Sequence, residues 1–279
     1  MPRRAVAIAG AACGAGLLLL TWLLAFHVGV FGRADQSIYA GFGGLGRPRV
    51  DPVARFVARL CSPVPYVFFG IFPPLVAVVR RRPRLALASA AILLGANVTT
   101  QLLKPLLAHP RAHELLGGAP PVAPASWPSG HATAAMALAL SFVLVMPARL
   151  RPLTAGLGAA FAVAVSYSFL TLGWHYPSDV FGGFLVAGIW ASLTLAALSA
   201  VRSGRAHRAE ADRVSVRDAL MAPAAVLIGA LVLVGLVVLA RPHEVVDYAR
   251  AHTAFVVGAA SIGGLGVALA TGLTLAVRR

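Results

Sequence analysis

Residues 168–183 read SFLTLGWHYPSDVFGG. A long apolar run breaks there for His175, then Asp179, and then becomes apolar again. Ionisable groups at such a border cost free energy unless they are paired, solvated or used. Whether the border lies inside a soluble core or at a membrane edge decides the fold.

Composition answers that first question. Of 279 residues 59% are hydrophobic and only 12% charged, with mean hydropathy +0.82. A soluble domain of this length carries about twice that charged fraction. Apolar segments recur at about 5–31, 62–79, 85–107, 131–148, 153–173, 178–201, 219–240 and 252–276. Each is close to the ~20 residues that a helix needs to cross ~30 Å of hydrocarbon. The sequence therefore predicts an all-α, polytopic helical membrane protein with a six-helix core and two further C-terminal transmembrane helices. The divisions are 1–201 for the core, 202–218 for a basic linker, and 219–279 for the last helix pair.

The net charge of +15 does not point to nucleic acid, because the arginines stand in short clusters between apolar runs. Threading the chain through the bilayer puts Arg3/Arg4, RRRPR (80–84), ARLR (148–151), RSGRAHRAEADRVSVR (202–217) and Arg278/Arg279 on one side. These hold 15 of the 24 Lys and Arg residues. The positive-inside rule makes that side cytoplasmic, with both termini inside a multi-pass cell-membrane protein. The opposite, outer side receives the loops 32–61, 108–130, 174–177 and 241–251. The arginine-rich 32–61 loop reads equally well as an amphipathic surface element or a solvated connector. The start of the chain has a basic n-region and an apolar stretch too long for a cleaved signal, so it is read as an uncleaved first span. The two cysteines, Cys13 and Cys61, are not placed to form a disulfide.

Polar residues far apart in sequence thus converge at the outer edge. KPLLAHPR sets Lys104, the lone lysine of the chain, seven residues before Arg111. WPSGH follows: Pro128 and Gly130 shape a turn, Ser129 is an N-cap candidate, and His131 opens the fourth span. Free N–H groups at that helix start, with the helix dipole behind them, suit an anion such as phosphate. Lys104 and Arg111 add positive charge to the same anion. In the third segment, Pro177 marks a helix start that leaves His175 just before it and Asp179 in its first turn. A carboxylate there fixes the imidazole tautomer and makes the other ring nitrogen more nucleophilic. His131 is then placed to protonate a leaving oxygen. The set describes phosphoryl transfer without metal or cofactor.

These three segments resemble the type 2 phosphatidic acid phosphatase family, which shares a signature with vanadium haloperoxidases. The family pattern K-x6-R-P, P-S-G-H and S-R-x5-H-x3-D falls on Lys104…Arg111, Pro128–His131 and Ser168…His175…Asp179, and the resemblance covers about residues 60–200. It implies a six-span phosphatase core in which His175 attacks phosphorus, Asp179 orients it and His131 protonates the departing oxygen. Lys104, Arg111, Ser129 and the Gly130 amide would bind the phosphate oxygens. It also implies a lipid phosphate as substrate, such as an undecaprenyl diphosphate, phosphatidic acid or phosphatidylglycerophosphate. Two positions depart from the pattern. Ala112 replaces a proline after Arg111, and Phe169 replaces the arginine of the third motif. A lost charge-assisted hydrogen bond to phosphate is worth ~1.5–3 kcal/mol unless His109, His113 or an arginine of the 32–61 loop compensates. The alternatives on the same fold are a lipid phosphotransferase and a non-catalytic lipid-phosphate binder or transporter. A haem-binding cytochrome would need histidines facing each other within spans, which this distribution does not offer. The partners read from the sequence are the bilayer, the lipid phosphate and a second copy in a homodimer, for which the glycines at 258, 263, 264 and 266 suit close helix contact.

Overall fold

The computed structural model describes residues 3–109, 122–202 and 215–277. Every regular element among them is helical. The α-helices are α1 (Arg3–His27), α2 (Gly29–Gly43), α3 (Asp51–Arg59), α4 (Pro63–Gly70), α5 (Phe72–Val79), α6 (Pro83–Leu106), α7 (Gly130–Val145), α8 (Arg151–Thr171), α9 (Pro177–Arg202), α10 (Val216–Ala240), α11 (Pro242–Ala251) and α12 (Thr253–Val277). Proline sits in the first turn of most of them, at Pro52, Pro63, Pro83, Pro152, Pro177 and Pro242. Its missing N–H costs nothing there and its fixed φ suits the helix.

Seven helices are long and apolar enough to cross a bilayer, and an eighth span exists if a bent pair, Asp51–Arg59 with Pro63–Val79, counts as one. Contacts at both ends of α4–α5 favour eight. Ser62 Oγ, just before Pro63, lies 3.3 Å from His131 Nε2 at the start of α7. The Arg80 guanidinium, just after Val79, donates to the Val145 carbonyl at the other end of α7. The segment therefore traverses the same depth as α7. Bilayer exposure explains why Leu87, Leu94 and Leu102 of α6 and Leu231, Leu233 and Leu239 of α10 remain uncovered by protein.

The core is centred on α7, whose residues from Ala132 to Val145 are almost all buried. Around it stand α6, α8, α9 and α12, and α1 lies along α9. Small residues let these helices approach without a hydrophobic drive between them. Gly95 faces the Trp190 ring, Gly158 faces Ala139, and Gly188 faces Leu269. The last helix shares this core: Ile262, Ala270 and Leu273 of α12 are buried in the same cluster as Met136 and Phe184. The 32–61 segment contains two helices. One of them, α3, buries Ala54 and Ala58 and exposes Arg55, Phe56 and Arg59, an amphipathic arrangement. Cys13 and Cys61 are both free.

Candidate active site

The break in the opening stretch has a definite backbone cause. Gly173 adopts φ +70°, the left-handed conformation that ends helices. The Gly173 N–H bonds Leu170 O at 3.0 Å and the Trp174 N–H bonds Phe169 O at 3.0 Å, closing the C-terminus of α8. Three residues after Trp174 the chain re-enters a helix at Pro177, so His175 is held in a short rigid connection. Asp179 Oδ2 accepts from the Tyr176 N–H at 3.0 Å and lies 3.1 Å from His175 Nδ1. The first bond is one arm of a capping box: an N3 carboxylate satisfying a free N–H at the helix start. The second places the His175 proton on Nδ1 and leaves the Nε2 lone pair free. Asp179 is fully buried and His175 is 8% exposed, so water competes little for the pair.

The second frame is the start of α7. Ser129 caps it, its Oγ accepting from the Ala132 N–H at 3.3 Å. A Cβ on Gly130 would stand 3.7 Å from Lys104 Nζ and 3.5 Å from Gln101 Nε2. The ammonium and amide of α6 therefore face the N-terminal turn of α7, with no side chain between. A Thr100–Thr133 hydroxyl contact of 2.9 Å ties the two helices just beneath.

The two frames are locked together. The Ser129 N–H donates to the Asp179 carbonyl at 2.9 Å, and Trp127 Nε1 donates to the Ser178 carbonyl at 3.2 Å. A Cβ on Gly183 would come within 2.7 Å of the Ser129 carbonyl and 2.9 Å of the Thr133 nitrogen. The glycine pair that closes the quoted stretch is thus what lets α9 reach the first turn of α7. Across this junction the rings of His131 and His175 lie 6.3 Å apart, centre to centre.

Of the seven candidates from the sequence, the fold brings Lys104, Ser129, Gly130, His131, His175 and Asp179 to one end of the bundle. Arg111 lies outside the described residues, as does His113. Phe169, at the position of the motif arginine, is fully buried beside both imidazoles, 6.0 Å from His131 and 5.2 Å from His175 between ring centres. His109 packs on Phe26 and His27 of α1. Sequence reasoning passed over Ser62, Gln101, Asp35 and Tyr39. Asp35 is a buried acid near an apolar helix, which was a usable signal; Ser62 and Gln101 carried none. Cys61 is no rival nucleophile, because burial pushes its thiol up to about 12. Among the described residues no three His, Cys, Asp or Glu side chains gather to hold a metal.

Comparison with known proteins follows the same residues. The sequence profile of the PAP2 superfamily matches residues 85–203. That interval runs from α6 to α9 and contains all six sequence-predicted site residues that the fold brings together. Over this segment the chain is similar to that superfamily. The fold agrees: the chain is similar to the crystal structure of a transmembrane PAP2-type phosphatidylglycerolphosphate phosphatase from Bacillus subtilis, with TM-score 0.54 and 18% identity. The match covers 71% of this chain and 98% of that one. No curated protein matches the chain. The PAP2 segment thus supplies both histidines, the aspartate and the lysine, while α1–α5 and α10–α12 lie outside it.

Proposed function

We propose that the protein is an integral membrane phosphatase that removes phosphate from a lipid phosphate through a phosphohistidine on His175. The observation that carries this is the His175–Asp179 pair facing His131 and the Lys104-lined start of α7 at a single membrane depth. In the first step His175 Nε2 attacks phosphorus in line and a new N–P bond forms. The P–O bond to the lipid breaks, and His131 in its protonated form gives its proton to the departing oxygen. In the second step His131 takes a proton from water, the water oxygen bonds phosphorus, the N–P bond breaks, and inorganic phosphate leaves. Lys104, the Ser129 hydroxyl, the Gly130 N–H and Arg111 balance the charge on the phosphoryl oxygens. No step calls for a metal or other cofactor.

Several features support a lipid as the substrate. The site lies at the end of a bundle whose outer surface is apolar. Below His131, at helical spacing, Leu138, Phe142 and Met146 line an apolar lateral groove of about 410 Å³ with Leu157 and Phe161 of α8. A hydrocarbon chain hanging from the headgroup site fits that direction. The Bacillus neighbour's described substrate makes phosphatidylglycerophosphate one member of the set to test, beside phosphatidic acid and undecaprenyl mono- and diphosphate. The distribution of basic loops supports a topology with both termini in the cytoplasm and the site on the outer face. Residues 1–201 form most of the core in this reading and 202–218 a linker, while 219–279 is a helix pair whose α12 joins that core and whose uncovered face offers a homodimer contact.

The test is phosphate release by detergent-purified protein from that panel, without added metal, against His175→Ala. Release by the wild type and none by the variant supports the phosphatase. Phe169 favours one second reading, a lipid-phosphate binder with little turnover. Equal, negligible release by both proteins, with lipid phosphate still bound, would select it.

A further inference from the structure

Helix α2 lies outside the PAP2 segment, yet it grips the connection that carries His175. Asp35 is 6% exposed, and its carboxylate receives two hydrogen bonds from Ser178: the backbone N–H to Oδ1 at 2.9 Å and the hydroxyl to Oδ2 at 2.7 Å. One turn on, the Tyr39 hydroxyl donates to the Gly173 carbonyl at 3.3 Å, and the Tyr39 ring packs 4.8 Å from that of Tyr176. Residues 35 and 39 are four apart, so they share one face of α2. That face spans the connection from Gly173 to Ser178, with His175 inside it.

From this geometry we infer that Asp35 is a positioning residue for the His175–Asp179 pair. Ser178 is the residue before Asp179 and the second of α9. Its N–H is one of the free donors at the helix start, and no partner within α9 can take it. With Asp35 in place, the first turn of α9 is fixed from outside, and so is the direction in which Asp179 presents Oδ2 to His175. A bidentate carboxylate sets both rotation and distance, and a negative charge is favoured at a helix N-terminus. The opposite side of α2 is held just as closely. A Cβ on Gly41 would overlap Phe255 of α12, and one on Gly258 would overlap Ile38. The Tyr248 hydroxyl of α11 donates to the Gly41 carbonyl. The C-terminal helices thereby back the face that aligns the nucleophile.

The inference rests on the phosphohistidine reading for its kinetic arm, so the experiment also has an arm independent of turnover. Asp35→Ala, Asp35→Asn and wild type are compared in full-length, detergent-purified protein, with thermal midpoints measured for each. Asparagine can still accept from the Ser178 N–H and donate to its hydroxyl, so it keeps the geometry and loses the charge. The expected result is a kcat lower by ~10- to 100-fold in Asp35→Ala with KM within about twofold, and a kcat within about threefold of wild type in Asp35→Asn. The second arm is the rate at which diethylpyrocarbonate modifies His175, followed by mass spectrometry of its peptide. It should fall several-fold in Asp35→Ala, where the imidazole is released from Asp179 and its Nε2 becomes less nucleophilic, and stay at the wild-type rate in Asp35→Asn. Unchanged His175 modification in a folded Asp35→Ala overturns the inference, whatever the lipid turnover. So does an Asp35→Asn protein as impaired as Asp35→Ala. A wild type without turnover but with this labelling pattern would defeat the phosphatase reading and leave the positioning role standing.

Discussion

At the scale of single residues, Phe169 is where this site departs most from its relatives' pattern. Its ring packs against both imidazoles and is wholly buried. Aromatic contacts of this kind contribute about 0.5–1.5 kcal/mol each beyond burial, so the ring steadies both histidines while giving phosphate no donor. Phe169→Arg should therefore strengthen inhibition by inorganic phosphate, by about tenfold for a bond worth ~1.5 kcal/mol. Without phosphate the buried guanidinium should lower the thermal midpoint, and added phosphate should recover it. Unchanged inhibition would mean that position 169 does not face the bound anion. The replacement itself was legible in the sequence, because the surrounding motif fixes the register. Its consequence was not, since only the fold sets the ring against His131 as well as His175.

At the scale of elements, the junction of α7 and α9 determines whether the histidines meet. Gly183 stands against backbone atoms of Ser129 and Thr133, which cannot yield as a flexible side chain would. Gly183→Ala should cost ~1–3 kcal/mol by overpacking and push α9 away from the start of α7. Thermal unfolding and turnover should both fall. Gly16→Ala on α1, where an added Cβ meets nothing within 4 Å, serves as the control and should be neutral or slightly stabilising. A Gly183→Ala protein indistinguishable from that control would show the close approach to be unimportant. Spans were readable because 20-residue apolar runs have few other interpretations. The Ser129 cap and the Pro177 start were readable because capping is local chemistry. The grip of α2 on Ser178 was not, because Asp35 and Ser178 are 143 residues apart and no periodicity links them. The bent pair of α3 with α4–α5 was also hidden, since nothing local at residues 60–62 announces that α3 joins that span.

At the scale of the whole molecule, the interactions of Tyr39 with Gly173, Trp22 with Leu107 and Tyr248 with Gly41 gather α2, α11 and the ends of α1, α6 and α8 at one end, beside the histidines. The clusters around Arg80–Arg84 and Arg149–Arg151 lie at the other end of α7. In the topology proposed from the positive-inside rule, the histidine end faces outward. A cysteine placed at the exposed Ser37 should react with an impermeant maleimide in intact cells. One placed at the exposed Arg149 should react only after the membrane is opened, with Cys13 and Cys61 replaced in both. The reverse pattern would turn the site towards the cytoplasm and change its pool of substrates. The multi-pass helical layout was legible because apolar runs alternate with polar connections along the chain. The burial of α12 in the core was not, because its glycines suit a dimer contact as well as an internal one.

The central claim is chemical, and one measurement reaches it most directly. The enzyme is mixed with its best lipid phosphate, quenched in base within milliseconds, and its peptides are read by mass spectrometry. The account requires a base-stable, acid-labile phosphoryl group on His175 that is absent in His175→Ala and persists longer when His131 is changed to Ala. Phosphate released at the full rate with no phosphoryl group on His175, or with one on another residue, would contradict it.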